Sequence, residues 1–301
     1  MSGSSRKGPG QGRGGRAAAG RRSGPPRSRG AGRTGRTRQG DEPPERRREK
    51  HLGGEQIEGR QAVRELLLAQ RRKVHEVWIS GELEGTDAVD DIVAIANANR
   101  VPVIKVARKK LEQTARSEAP QGVLALAAPL PEADLTKYLR RDPKHAPFLV
   151  AVDGVTDPGN LGAIIRSCDG AGADLVVVPR HRAVHVTPTV AKASAGAVEH
   201  MPIAVVSGLP AALQRMKDAG IWIVGLDDAA ERTLFEIGDL ANEAVCVVLG
   251  AEGAGLSRLV RERCDLIVSI PMLGRVSSLN VSAAAALTTY EIRRHRDTPA
   301  R

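Results

Sequence analysis

The residues best placed to do chemistry lie in three segments of the second half of the chain. In AVDGVTDPGNLGAIIRSCDGAG, residues 151–172, Asn160 and Arg166 stand six apart. Six residues are nearly two helical turns, about 9 Å along an axis. The pair is expected on one edge of a helix, one side chain orienting a ribose or phosphate and the other supporting it from the next turn. The same two residues also read as a capping Asn and a surface Arg. In VVLGAEGAGLS, residues 247–257, Gly250, Gly253 and Gly255 permit tight turns and close approach of backbone to a ligand, with Glu252 between them. No Gly-Lys-Ser or Gly-Lys-Thr follows, so this is not a phosphate loop, and GAEGAG is not the dinucleotide fingerprint GxGxxG. A glycine-rich turn carrying an acid suits an uncharged adenosine or a ribose; an ordinary connection with a solvated Glu252 is the other reading. In SIPMLGRVSSLNVSAAAAL, residues 269–287, Ser277, Ser278 and Asn280 stand where an Ala-rich helix begins. Helix-start amides flanked by hydroxyl and amide side chains recognise polar ligand groups. Taken alone, Ser278 is a helix cap.

Strands must hold these segments, and the surrounding sequence supplies them. FLVAVD, DLVVVP, PIAVV, IWIVGLD, AVCVVLG and DLIVSI are continuous apolar runs, most of them separated by helical or loop sequence. That is the pattern of a parallel sheet covered on both faces. Residues 148–301 are therefore expected to form one α/β domain, closed by a long helix over SLNVSAAAALTTYEIRRHR. Ligands of such sheets bind beyond the carboxyl ends of strands, where all three segments fall. Upstream, residues 51–128 read as a small α/β domain: helix GRQAVRELLLAQ, strand VHEVWIS, helix DAVDDIVAIANANR, strand VPVIKV and strand QGVLALAA. Residues 129–147 mix Pro and charge around a short helical pattern between Asp134 and Arg140, and read as a linker; Arg140, Arg141 and Lys144 form a solvated face able to touch a phosphate.

Composition narrows the class further. Residues 1–50 hold 15 Lys or Arg and 4 Asp or Glu, and 12 of the first 40 residues are Gly. Such a tail cannot repay its ordering entropy with a core and is expected to be disordered, binding phosphates with low selectivity and strong salt dependence or serving as a solubilising arm. The remainder is near neutral, so the high pI belongs to the tail. Three cysteines, Cys168, Cys246 and Cys264, are widely spaced among apolar neighbours and argue against a disulfide scaffold or zinc ribbon. Six aromatic residues are too few for a base-stacking platform. No apolar run of signal-peptide or membrane-span length follows the basic N-terminus, so a soluble, cytoplasmic protein without membrane contact is expected.

The three segments, in this order, strongly resemble the three motifs of the SpoU or TrmH family, over residues 148 to about 293. GAEGAGLS followed by IPMLGRVSSLNVSAAAA carries the resemblance. The small preceding domain resembles the ribosomal-protein-L30e-like substrate domain of the branch that modifies a guanosine of large-subunit ribosomal RNA, the RlmB-like branch. Its last strand follows Pro120, Gln121 and Gly122, where that branch often has His-Gln-Gly.

The resemblance implies a trefoil-knotted SPOUT methyltransferase domain behind an L30e-like domain, and S-adenosylmethionine-dependent methylation of an RNA ribose 2'-hydroxyl. It implies 23S ribosomal RNA or a large-subunit precursor as partner, not DNA, and a homodimer with packed catalytic domains. Asn160 and Arg166 correspond to the pair at the reacting ribose, Glu252 to the acid of the second motif, and Ser278 and Asn280 to the polar pair of the third. Leu249, Gly250, Gly253, Ile270 and Leu279 fall where the family holds the cofactor. Arg166 is expected to stabilise the developing alkoxide, since a guanidinium is a donor only. Glu252 is expected to orient Arg166 or a loop amide. No metal cluster is apparent, and the reaction requires none. A transfer RNA enzyme or one acting on an adenosine of ribosomal RNA shares the same motifs; a non-catalytic ribosome-assembly protein is the alternative from another class.

Overall fold

A computed structural model describes residues 52–83, 85–140, 145–181 and 186–297. The basic segment 1–50, Arg141 and Lys144 lie outside the described residues. The smaller sheet is built from β1 (Gln56–Glu58), β2 (Val74–Ser80), β3 (Val103–Val106) and β4 (Val123–Ala127) in the order β1-β4-β2-β3. Strands β2 and β3 are parallel, and β4 runs antiparallel to β1 and β2. Three helices accompany them, α1 (Arg60–Ala69), α2 (Asp87–Ala98) and α3 (Arg108–Thr114). Helix α1 buries Ala62, Val63, Leu66 and Leu67 at helical spacing. Gly59 at its N-cap has no side chain to offer, and Gln121 Oε1 accepts from the Arg60 amide instead, at 3.1 Å. This gives Gln121 a structural purpose in the Pro-Gln-Gly turn.

Two elements of this unit depart from the sequence reading. Strand β1 has three residues, too few for a period, yet all three are buried. Its Glu58 carboxylate accepts from Gln56 Nε2, from the Arg116 and Ser117 amides, and from Ser117 Oγ, pinning the stretch before Pro120. Helix α3 emerges from sequence read only as polar, because it buries a single residue, Leu111. Residues 129–147 also differ from a free tether. Asp134 caps the four-residue helix α4 (Leu135–Tyr138), and Leu135 sinks into the core of the larger sheet beside Tyr138 and Leu139.

The larger sheet contains β5 (Phe148–Val152), β6 (Leu175–Pro179), β7 (Ile203–Val206), β8 (Trp222–Leu226), β9 (Val245–Leu249) and β10 (Leu266–Val268), ordered β10-β8-β9-β5-β6-β7. Every pairing is parallel, as the continuous apolar runs predict. Alternation sorts the residues of one strand between two cores. Phe148, Val150 and Val152 face the side covered by α5 (Pro158–Gly170), α6 (Pro188–Ala193) and α9 (Val281–Asp297). Leu149 and Ala151 face α7 (Leu209–Asp218) and α8 (Arg258–Arg261). The closing helix starts at Val281, later than the expected Ser278. Asn280 is its cap, accepting from the Ser282 amide at 2.8 Å, because the Asn side chain reaches the free amides that Ser278, in the loop, does not.

The smaller unit docks on the larger through a buried ion pair. Arg72 meets Glu199 with side chains 3% and 1% exposed, and also donates to the carbonyls of Gly54 and Ala128. Gly196, at φ +87°, brings its backbone against α1; a Cβ there would lie 2.5 Å from Glu65 Cβ. None of the described helices is long and apolar enough to cross a membrane.

Candidate active site

Strands β5, β9, β8 and β10 end on one side of the sheet, and the loops beyond them define the site. Sequence order reverses here: β6 and β7 extend one way from β5, and β9, β8 and β10 the other, which opens a crevice at the strand ends. The glycine-rich segment after β9 folds as a tight hairpin. Ala251 and Gly255 exchange two backbone hydrogen bonds of 2.9 and 3.1 Å, with Gly253 at φ +73° and Gly255 at φ +63°. Gly250 is required for a different reason: a Cβ on it would overlap the backbone of Gly255 and lie 2.6 Å from the Leu256 amide nitrogen. Asp153, the residue after β5, anchors the far side of this hairpin by accepting from the Ser257 amide at 2.7 Å.

The first segment forms α5, capped by Asp157, whose carboxylate accepts from the Asn160 amide at 2.7 Å, with Pro158 in the first turn. Asn160 is therefore inside the helix and its side chain is released from capping. That side chain donates to Glu252 Oε1 at 3.0 Å. Asn280 Nδ2 donates both to the same Glu252 oxygen, at 2.7 Å, and to Asn160 Oδ1, at 3.0 Å. One carboxylate and two amides thus tie the three segments into a single ring of hydrogen bonds.

Next to that ring lies a cleft of about 250 Å³. Of the residues singled out from sequence, Leu249, Gly250, Glu252, Gly253, Ile270, Ser278 and Leu279 line it. Asn160 and Asn280 border it through Glu252. Arg166 does not join them, and two expectations are corrected. Six helical residues turn through about 600°, leaving Asn160 and Arg166 about 120° apart around α5, so they do not share an edge. Glu252 orients the two Asn amides rather than Arg166. Arg166 is exposed and makes no hydrogen bond or ion pair among the described residues. Ser277, also singled out, lines the cleft too, but the sequence reading missed Met272 and the end of β8, where Leu226, Asp227 and Asp228 complete the cleft wall. An available signal was the acidic pair closing the apolar run IWIVGLD, the same strand-end position that Asp153 occupies in FLVAVD.

Comparison with known proteins follows the same division. Residues 147–290 match the SpoU rRNA Methylase family, and residues 56–133 match the family of RNA 2'-O ribose methyltransferase substrate-binding domains. YacO of Bacillus subtilis, carrying the name of a TrmH family tRNA/rRNA methyltransferase, is 40% identical over 241 residues, 79% of this chain and 95% of that protein. This chain belongs to the SpoU/TrmH family. It is an RNA 2'-O-ribose methyltransferase of the SPOUT fold, dependent on S-adenosylmethionine, with an N-terminal substrate-binding unit. Among relatives of this SpoU/TrmH enzyme, the 23S rRNA (guanosine-2'-O-)-methyltransferase RlmB of Pseudomonas putida is 38% identical over 245 residues, 80% of this chain and 97% of that one. The crystal structure of the SpoU methyltransferase AviRb from Streptomyces viridochromogenes with its cofactor AdoMet superposes with a TM-score of 0.66 at 30% identity, covering 80% of this chain and 89% of that one.

The cleft of this SpoU/TrmH member fits the cofactor on its own chemistry. Leu226, Leu249, Ile270 and Leu279 offer apolar walls for an adenine ring and a thioether chain. Asp227, Asp228 and Glu252 line it and, among the described residues, no Lys or Arg does, so it favours a cation. Asp227 is already paired with Arg261, which leaves exposed Asp228 to face a positive or hydroxylated ligand group.

Proposed function

We propose that this enzyme methylates the ribose 2'-hydroxyl of a guanosine in 23S ribosomal RNA, acting in the cytoplasm as a homodimer. The observation that carries the site assignment is the ring formed by Asn160, Glu252 and Asn280, which closes the cleft from three distant segments. The relative RlmB and the matched substrate-binding unit support the substrate. Exposed Leu287 and Tyr290 on α9 support a self-association surface on the catalytic unit.

When bound, S-adenosylmethionine supplies an electrophilic methyl group on a sulfonium. The chain itself must present the ribose in line with it, and positioning of this kind contributes several kcal/mol. Ser278, exposed at the cleft rim, is placed to hold the reacting nucleotide. Asn280 spends both amide hydrogens, on Glu252 and on the Asn160 oxygen, and so holds the rim, whereas Asn160 spends one on Glu252 and keeps the other for a ribose. Arg166, without a partner among the described residues, keeps its fork for a substrate phosphate or a developing alkoxide. Arg166 is not among the residues lining the cleft, and in the proposed homodimer a second copy supplies its own Arg166 to the site.

The test is transfer of tritium from labelled cofactor to ribosomal and transfer RNA, followed by mapping of the modified nucleotide. Label at a 2'-O-methylguanosine of 23S RNA is expected. Label in transfer RNA overturns the substrate assignment, and sedimentation as a monomer under assay conditions overturns the dimer.

A further inference from the structure

The smaller unit has a pocket of its own, remote in sequence from the cofactor cleft. It measures about 270 Å³, slightly below the ~300–1,000 Å³ of drug-sized sites. Leu83, Leu111 and Pro120 form its apolar walls, and Ser80, the last residue of β2, lies against its floor. Ser80 is 1% exposed, and its hydroxyl is the single buried side-chain oxygen or nitrogen among the described residues without a hydrogen-bond partner. Such a group destabilises the free protein, because the water it gave up is not replaced. Gly122, at φ +70°, borders both Ser80 and Leu83; a Cβ there would overlap Leu83, so the glycine lets that side chain lie beside the hydroxyl and seal it.

The mouth is charged but balanced. Arg108 bonds Glu112 at 2.8 Å and Glu82 at 3.3 Å, and Arg60 donates to the Gln121 carbonyl. With Arg108 matched by two carboxylates, Arg60 engaged on a carbonyl, and two Glu against two Arg in the lining, the pocket does not select a phosphate. Apolar walls with one unsatisfied hydroxyl suit a flat, neutral group with donors and acceptors on its edge. On α3, which gives Arg108, Leu111 and Glu112 to the lining, Lys109 and Lys110 are exposed, where they can hold phosphates flanking that group.

We propose that this pocket takes one unpaired nucleobase of the RNA substrate, with Leu83 turning aside and Ser80 Oγ bonding the base edge. The proposal builds on the RNA methyltransferase reading and adds where the smaller unit reads its target. Bases in loops and bulges are open to insertion of this kind, whereas paired bases are not.

The test compares the full-length wild type with Ser80→Ala and Ala119→Trp, the latter filling the pocket from its rim. The probe is 23S ribosomal RNA transcribed in vitro, with a transfer RNA transcript alongside. Ser80→Ala is expected to weaken RNA binding by about threefold to tenfold, the worth of one hydrogen bond. Its Tm should stay level or rise, since an unsatisfied group is removed. Ala119→Trp should weaken RNA binding more than tenfold, and both should keep wild-type uptake of S-adenosylmethionine. The slope of affinity against salt should be unchanged, since a base contact releases no counterion. A reduced slope makes the pocket a phosphate site and overturns the proposal. So does a lowered Tm for Ser80→Ala, which would show a structural partner for the hydroxyl. Wild-type methyl transfer that both variants match at limiting RNA sinks the pocket alone; a wild type that transfers to neither RNA sinks the functional reading and the pocket with it.

Discussion

Asn280 shows how much one side chain carries in this protein. It caps α9, bonds Asn160 and bonds Glu252, so helix start, motif contact and cleft rim depend on the same amide. Glycine at 250 is similarly constrained. Gly250→Ala pushes a methyl group into backbone that cannot step aside, and cofactor affinity measured by calorimetry is expected to fall at least tenfold, while the buried strands keep the protein folded. Arg166 has the opposite character, exposed and without a partner among the described residues. Arg166→Lys keeps the charge and loses the planar fork. Turnover should drop more than tenfold with cofactor affinity unchanged, and near-normal turnover would rule out a fork-dependent role. The cysteines are passive: burial pushes the thiols of Cys168 and Cys246 far up, and that of Cys264 up to about 11. Little thiolate is then present at pH 8, and a thiol reagent should modify the native enzyme slowly and the denatured chain at once.

Among the elements, the strands of the larger sheet were legible because each is apolar through its whole length, which only burial on both faces explains. Strand β1 and helix α3 were not, since three residues have no period and a helix with one buried residue has no stripe. The docking of the two units was also hidden. Arg72 and Glu199 are 127 residues apart, and nothing local distinguishes them from surface charges. Glu199→Ala leaves the Arg72 guanidinium buried and unpaired and should cost about 3–5 kcal/mol in denaturant unfolding. Arg258→Ala removes one end of an exposed i,i+4 pair on α8 and should cost below about 1 kcal/mol. Equal losses would show that the Arg72 pair is accessible to water in solution.

For the whole molecule, charge and fold are separable. Residues 1–40 carry 11 Lys or Arg and no acid, whereas residues 41–301 carry 34 Lys or Arg against 35 Asp or Glu. Deleting residues 1–40 should weaken RNA binding most at low salt and reduce its salt dependence, with cofactor affinity unaffected. Equal slopes for full-length and truncated enzyme would remove the tail from RNA binding. Composition, strand periodicity and the three motifs were determined by the sequence itself, because each is a relation between neighbours along the chain. Tertiary structure alone decided that Glu252 holds Asn160 across 92 residues and Asn280 across 28, that Asp227 and Asp228 finish the cleft, and that Arg166 is not in its lining. Such meetings depend on where separate strands end beside one another and on how far a helix has rotated, which neither propensity nor spacing within a single segment encodes.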